Sequence, residues 1–115
     1  MTTLLLADAD PIVQSVFGFN ARGRLRLLVA SNAAEAFGEL RRTQVDVLVT
    51  DLTVGGDDGV LLARMARLVQ PDLRCVLMAG DPHLRLSSMG RNVFDRLEHK
   101  PVDIRRLFDW VLEPP

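Results

Sequence analysis

The sequence has one cysteine, one lysine, no tyrosine and no long apolar run. A lone cysteine, Cys75, excludes a disulfide framework within the chain, which fits a reducing cytoplasm. Cys75 lies inside an apolar run and reads as a buried strand residue, because a free thiol packs as a small hydrophobe. No stretch approaches the roughly 20 apolar residues that cross a bilayer. The opening MTTLLLADAD has no basic segment and reaches Asp8 too soon for a secretory signal, so a cytoplasmic location is expected. Neither sign of charge is in excess. The net charge is −1, with five positive and seven negative residues over 1–57 and nine and eight over 58–115. Neither half reads as a nucleic-acid or membrane surface, and no direct contact with either is expected. The scarcity of lysine is sharper. Thirteen arginines accompany Lys100 alone. Lysine is a compact point charge and arginine a planar fork, so the chain has kept one cation of a different kind.

The 115 residues, 48% hydrophobic and 25% charged, suit a single domain over 1–115 with a real core. No repeat, low-complexity tract or linker precedes the closing Glu113-Pro114-Pro115. Two patterns alternate. Short apolar runs at residues 4–7, 25–30, 45–50, 73–79 and, more weakly, 93–97 fit strands buried on both faces of a parallel sheet. Segments of helical period lie between them. A first helix is expected from Asp10-Pro11, an N-cap followed by a proline at the first helical position. Ile12, Val13, Val16 and Phe17 would share its buried face. A second starts at Asn32, with Glu35 three residues on as in a capping box, and carries Ala33, Ala36, Phe37 and Leu40. A third follows Asp58-Gly59, buries Leu61, Leu62, Met65, Leu68 and Val69, and ends before Pro71. A short fourth is expected around 83–89. A fifth starts at Asp103 with Ile104, Leu107, Phe108 and Val111 in its stripe and Trp110 off it, partly exposed. The pattern is (βα)5, an α/β fold with a doubly wound parallel sheet and right-handed crossovers.

In such sheets ligands bind beyond the carboxyl ends of the strands. The first strand is followed by Asp8-Ala9-Asp10 and the third by Asp51. The fourth ends in Ala79-Gly80, and the fifth is followed by Lys100-Pro101. Two carboxylates and one ammonium therefore converge on one sheet edge from distant parts of the chain. Carboxylate oxygens suit a hard cation such as magnesium, and a lysine beside them can neutralise a transferring phosphoryl group. Phosphoryl transfer needs mainly positioning and charge stabilisation. Asp8 and Asp51 directly follow apolar strands, where an unpaired charge is costly. Asp10, Asp57 and Asp58 read as caps or solvated loop residues. His83 and His99 have no cysteine or histidine at metal spacing and read as surface residues. No glycine-rich phosphate loop follows the first strand, and the turn there is acidic.

These segments resemble the response-regulator receiver domain of two-component signalling systems. LLLADADP is similar to its opening strand and acidic pair, VDVLVTDLTVGGDDG to the segment around its phosphorylated aspartate, and HKPVD to the Lys-Pro motif after its last strand. The resemblance spans the whole chain. It implies the flavodoxin-like strand order 2-1-3-4-5, with Asp51 as phosphoacceptor and Lys100 as the phosphoryl contact. It implies magnesium held by Asp8, Asp51 and the backbone carbonyl of Thr53. It also implies phosphorelay signalling: the phosphoryl group would come from a sensor histidine kinase or phosphotransfer protein. Output would pass to a downstream effector or a second copy through the face of helix four, strand five and helix five. An enzyme in its own right is not expected.

Four positions depart from the family pattern. Ala9 stands where the second acidic residue holds metal directly, so magnesium is expected to bind weakly. Ala79 replaces the hydroxyl residue that grips the phosphoryl group, Leu97 replaces the aromatic switch, and Gly55 replaces a proline. Transmission from site to surface is therefore expected to be poor. Two other readings remain open on the residues: a degenerate receiver acting only as a protein-interaction module, and a haloacid-dehalogenase-like phosphatase using Asp8 and Asp10. The second lacks a lysine ahead of its later acidic motif and has Pro11 in place of glycine.

Overall fold

The computed structural model describes every residue except 87–89, 91 and 115. Its strands are β1 (Thr3–Ala7), β2 (Arg26–Ala30), β3 (Val47–Asp51), β4 (Thr53–Val54), β5 (Asp57–Asp58), β6 (Arg74–Ala79) and β7 (Arg96–His99). The helices are α1 (Pro11–Ala21), α2 (Ala33–Arg42), α3 (Gly59–Val69) and, with labels running in chain order, α4 (Ile104–Leu112). Five strands form one parallel sheet in the order β2-β1-β3-β6-β7, and β4 and β5 form a separate antiparallel hairpin. With the hairpin strands set aside, this is the 2-1-3-4-5 order. The central strands are apolar on both faces because helices cover both. β1 and all but one residue each of β3 and β6 are buried. One core cluster joins the sheet to α2 and α3 through Leu5, Leu48, Leu62 and Leu77. The other joins it to α1 and α4 through Leu6, Phe17, Met78 and Phe108. Cys75 is fully buried in β6.

Caps begin the helices where the side chains placed them. Asp10, Asn32, Asp58 and Asp103 each accept a bond from a backbone amide of the first turn. Glu35 reaches back to the amide of Ser31, and Asp57 accepts from Ala33 at the start of α2.

Several expectations are corrected. Four helices, not five, stand among the described residues. Residues 83–86 are not helical, and 87–89, the rest of the expected fourth helix, lie outside the described residues. The last strand starts at Arg96 rather than 93. The amides of Val93 and Phe94 both bond to the Gly90 carbonyl, at 3.0 and 2.9 Å, so this stretch turns instead of joining the ladder. Its apolar residues serve the core. The face of α3 is also rotated from the expected one. It buries Gly59, Leu62, Ala63 and Ala66, while Leu61, Met65, Leu68 and Val69 are exposed, Leu68 by 82%. Gly59 sets this phase: a Cβ there would lie 1.9 Å from the Asp51 carbonyl oxygen. The helix is pressed onto the end of β3 at that point, and the residues three, four and seven positions on follow it inward. In α1, Phe17 and Ala21 are buried, but Ile12 is 73% exposed and Val16 is also exposed.

Candidate functional site

Strand register brings the acidic and basic residues together. Ala7 pairs with both Ala30 and Thr50, Asp51 with Met78, and Ala79 with His99. The strands therefore end level, and Asp8, Asp51 and Lys100 emerge on one edge. The Lys100 ammonium lies 3.0 Å from Asp8 Oδ2 and 3.2 Å from Asp51 Oδ2, bridging the two carboxylates. The remaining oxygens also have donors. Asp8 Oδ1 accepts from the Asp10 amide and Asp51 Oδ1 from the Leu52 amide, both at 2.8 Å. Asp8 is buried, with 1% of its surface exposed. Asp51 and Lys100 keep about a quarter of their side chains open to solvent, so an incoming group can reach them. Burial alone would lower the Lys100 pKa. The hydrogen bond and charge of Asp8, then those of Asp51, outweigh it and hold the ammonium above the ordinary lysine range.

The loop after Asp51 is built to stay close. Gly55 and Gly56 both have positive φ, +57° and +90°, and close a two-residue β-turn between β4 and β5. A Cβ at Gly55 would meet the Ser31 carbonyl oxygen at 2.3 Å, which accounts for the absence of proline there. Gly59 donates to the Leu52 carbonyl at 2.8 Å. Hydrogen-bonded and non-bonded pairs alternate in an antiparallel ladder, so the next pair, Thr53 and Asp58, is a non-bonded one. The Thr53 carbonyl is thus left out of the ladder. Among the described residues no three His, Cys, Asp or Glu side chains gather as a metal cluster. The oxygen donors near the edge are hard in kind and fit a divalent cation. They are few in number: the carboxylates of Asp8 and Asp51, with Ala9 exposed and Asp10 engaged as a cap.

No family model matches the chain. It is 27% identical to the DNA-binding transcriptional regulator NtrC of Azospirillum brasilense over 113 residues, 95% of this chain and 23% of that protein. It is 27% identical to the transcriptional regulatory protein GlrR of Escherichia coli K12 over 94% of this chain and 25% of that one. The chain spans about a quarter of the length of these curated relatives. The signal receiver domain of an HD domain-containing protein from Pseudomonas fluorescens superposes with a TM-score of 0.82 and 25% identity, covering 96% of this chain and 90% of that one. The chain has the fold of a receiver domain. A second receiver structure, the response regulator TrrA of Thermotoga maritima in complex with Mg2+ and BeF, superposes with a TM-score of 0.80 at 21% identity, covering 96% of each chain.

Along β6 and β7 the two positions singled out in the sequence are apolar. Ala79 is buried at the end of β6, and Leu97 in β7 packs against the core cluster of α2 and α3. Neither carries a polar atom on its side chain. His99, read from sequence as a surface residue, is only partly exposed, and its Nε2 lies 3.2 Å from the Leu84 carbonyl oxygen. His83 is exposed as expected. The hairpin was also missed, although Gly55-Gly56 between two pairs of residues is a turn signal.

Proposed function

We propose that this receiver accepts a phosphoryl group on Asp51 from a phosphohistidine of a sensor histidine kinase or phosphotransfer protein. The observation that carries the proposal is the Lys100 ammonium bridging Asp8 and Asp51. In the transfer, an Asp51 carboxylate oxygen forms the new O–P bond. The N–P bond of the donor breaks, and its electron pair returns to the imidazole nitrogen. Negative charge then sits on the phosphoryl oxygens at a position Asp51 shares with Lys100. The ammonium can turn from Asp51 Oδ2 toward these oxygens while keeping its bond to Asp8, so the charge that develops meets a cation already in place. Asp8 holds the lysine, and the Leu52 amide fixes the Asp51 carboxylate.

Asp8, Asp51 and the Thr53 carbonyl would hold magnesium. When bound, the ion neutralises charge on the phosphoryl oxygens. The loss of an acidic group at Ala9 favours weak binding. An apolar groove of about 460 Å³ beside Lys100, lined by Ile12, Val13, Val16, Pro101, Val102 and Ile104, supports a protein donor rather than a small molecule alone. No helix among the described residues is long and apolar enough to cross a membrane. Output through the face of β7 and α4, to an effector or a second copy, belongs to the same proposal.

Ala79 and Leu97 favour a second reading, an interaction module that is never phosphorylated. Beryllofluoride with magnesium separates the two. On the first reading the amides of Leu52 and Lys100 shift in the wild type and not in Asp51→Asn. Absence of any shift, together with no adduct from any phosphodonor, leaves the interaction module.

A further inference from the structure

We propose that His99 is a positioning residue that ties the loop after β6 to the strand carrying Lys100, in place of the missing hydroxyl and aromatic switch. The loop leaves the sheet at Ala79, whose carbonyl accepts from the Lys100 amide at 2.8 Å. Five residues on, the Leu84 carbonyl accepts from His99 Nε2 at 3.2 Å. His99 and Lys100 are consecutive, and His99 pairs with Ala79 in the sheet register. Residues 80–84 are therefore pinned at both ends to one dipeptide.

The segment between the pins is stiffened from within. The His83 amide bonds to Asp81 Oδ1 at 2.8 Å and the Leu84 amide to the Asp81 carbonyl at 3.2 Å. Leu84 and Leu86 also pack against the same core cluster as Leu97. A stiff segment held at two points follows the dipeptide that holds it. His99 lies two residues from Leu97 along β7, so the two side chains share one face of the sheet, the face toward this loop. A carbonyl only accepts, so Nε2 is the protonated ring nitrogen in this contact. The tie itself does not depend on phosphorylation. Its use as a relay, carrying the state of Asp51 through Lys100 to the loop, rests on the phosphoacceptor reading.

The tie is tested without a phosphoryl group. Lys100→Met removes the bridge to Asp8 and Asp51 and so perturbs the dipeptide from the site side. In the His99 background this substitution is expected to shift the amide resonances of Leu84 and Arg85, and in the His99→Leu background the shift is expected to disappear. His99→Gln, which keeps an N–H donor, should restore it. His99→Leu alone removes the bond to the Leu84 carbonyl, so the turn closed by the Leu84 amide and the Asp81 carbonyl should open more often and exchange at that amide speed up roughly three- to tenfold, the size of one net hydrogen bond. Equal shifts in both backgrounds, no shift in either, or unchanged exchange at Leu84 would overturn the proposal. Phosphoryl uptake by Asp51, read separately by intact mass, fails or succeeds independently of these outcomes.

Discussion

The two halves of the site edge are built on different principles. On the side of β1 and β3, the protein groups that the proposed phosphoryl transfer would use are charged, anchored and close. Asp8 is buried, Asp51 follows a buried strand, Lys100 bridges them, and the hairpin and Gly59 fasten the next loop against β3. On the side of β6 and β7, the positions that would sense the group are apolar. Ala79 and Leu97 fill space and offer no hydrogen bond. Acceptance and transmission are thus separable in this fold. The first is a matter of charge at fixed positions. The second needs contacts that differ between two states.

The comparison can be broken first from the acceptance side. Gly59→Ala would place a Cβ 1.9 Å from the Asp51 carbonyl oxygen, a backbone atom that cannot swing aside. Urea unfolding should show a loss of about 3 kcal/mol. Gly56→Ala, at positive φ but with nothing within 4 Å, should lose only about 1 kcal/mol. Similar losses would mean that close packing at Gly59 does not fasten the loop.

Lys100→Met leaves the buried Asp8 without its cation and should cost about 2 kcal/mol near neutral pH. Phosphoryl uptake should slow by about 10²-fold. Because the folded-state pKa of Lys100 is raised, its contribution is fully present below the unfolded value of about 10.4 and fades as pH rises through the folded one. The stability gap between wild type and variant should stay level from about pH 6 to 9 and narrow only above about pH 10. A gap that closes near neutral pH would contradict this assignment.

Ala9→Asp sharpens the comparison by completing the acidic pair. A titration should show magnesium binding about tenfold tighter, roughly 1.4 kcal/mol. Equal affinity would mean that Asp10 already serves through a bridging water. The smallest effect is expected at the other side. Ala79→Ser adds a hydroxyl worth about 1 kcal/mol to a phosphorylated state. With beryllofluoride bound, amide changes should then reach Leu107–Trp110 in the variant and remain small there in the wild type.

The two carboxylates were legible in the sequence because each stands at the end of an apolar strand, and Lys100 because it is the sole lysine and comes just after the last strand; parallel strands of one sheet end on one edge. The helix starts were legible because Asp10, Asn32, Asp58 and Asp103 are caps whose action is local. What was missed depends on tertiary packing. The apolar residues of α3 fit more than one face, and only the contact of Gly59 with Asp51 selects the one carrying Ala63 and Ala66. Val93 and Phe94 look like strand residues by composition, yet their amides turn back to Gly90. His99 carries no local signal at all: its partner, the Leu84 carbonyl, is backbone, and only the fold brings the two together.

The most direct test of the account is phosphoryl transfer itself. Incubation with magnesium and a phosphoramidate donor, which presents the same N–P bond as phosphohistidine, is followed by intact-mass measurement. The wild type is expected to gain one phosphoryl group, Lys100→Met to gain it far more slowly, and Asp51→Asn to gain none. Uptake by Asp51→Asn equal to that of the wild type, or no uptake by a folded wild type from this donor or from a phosphorylated histidine protein, would contradict the assignment of Asp51 as acceptor.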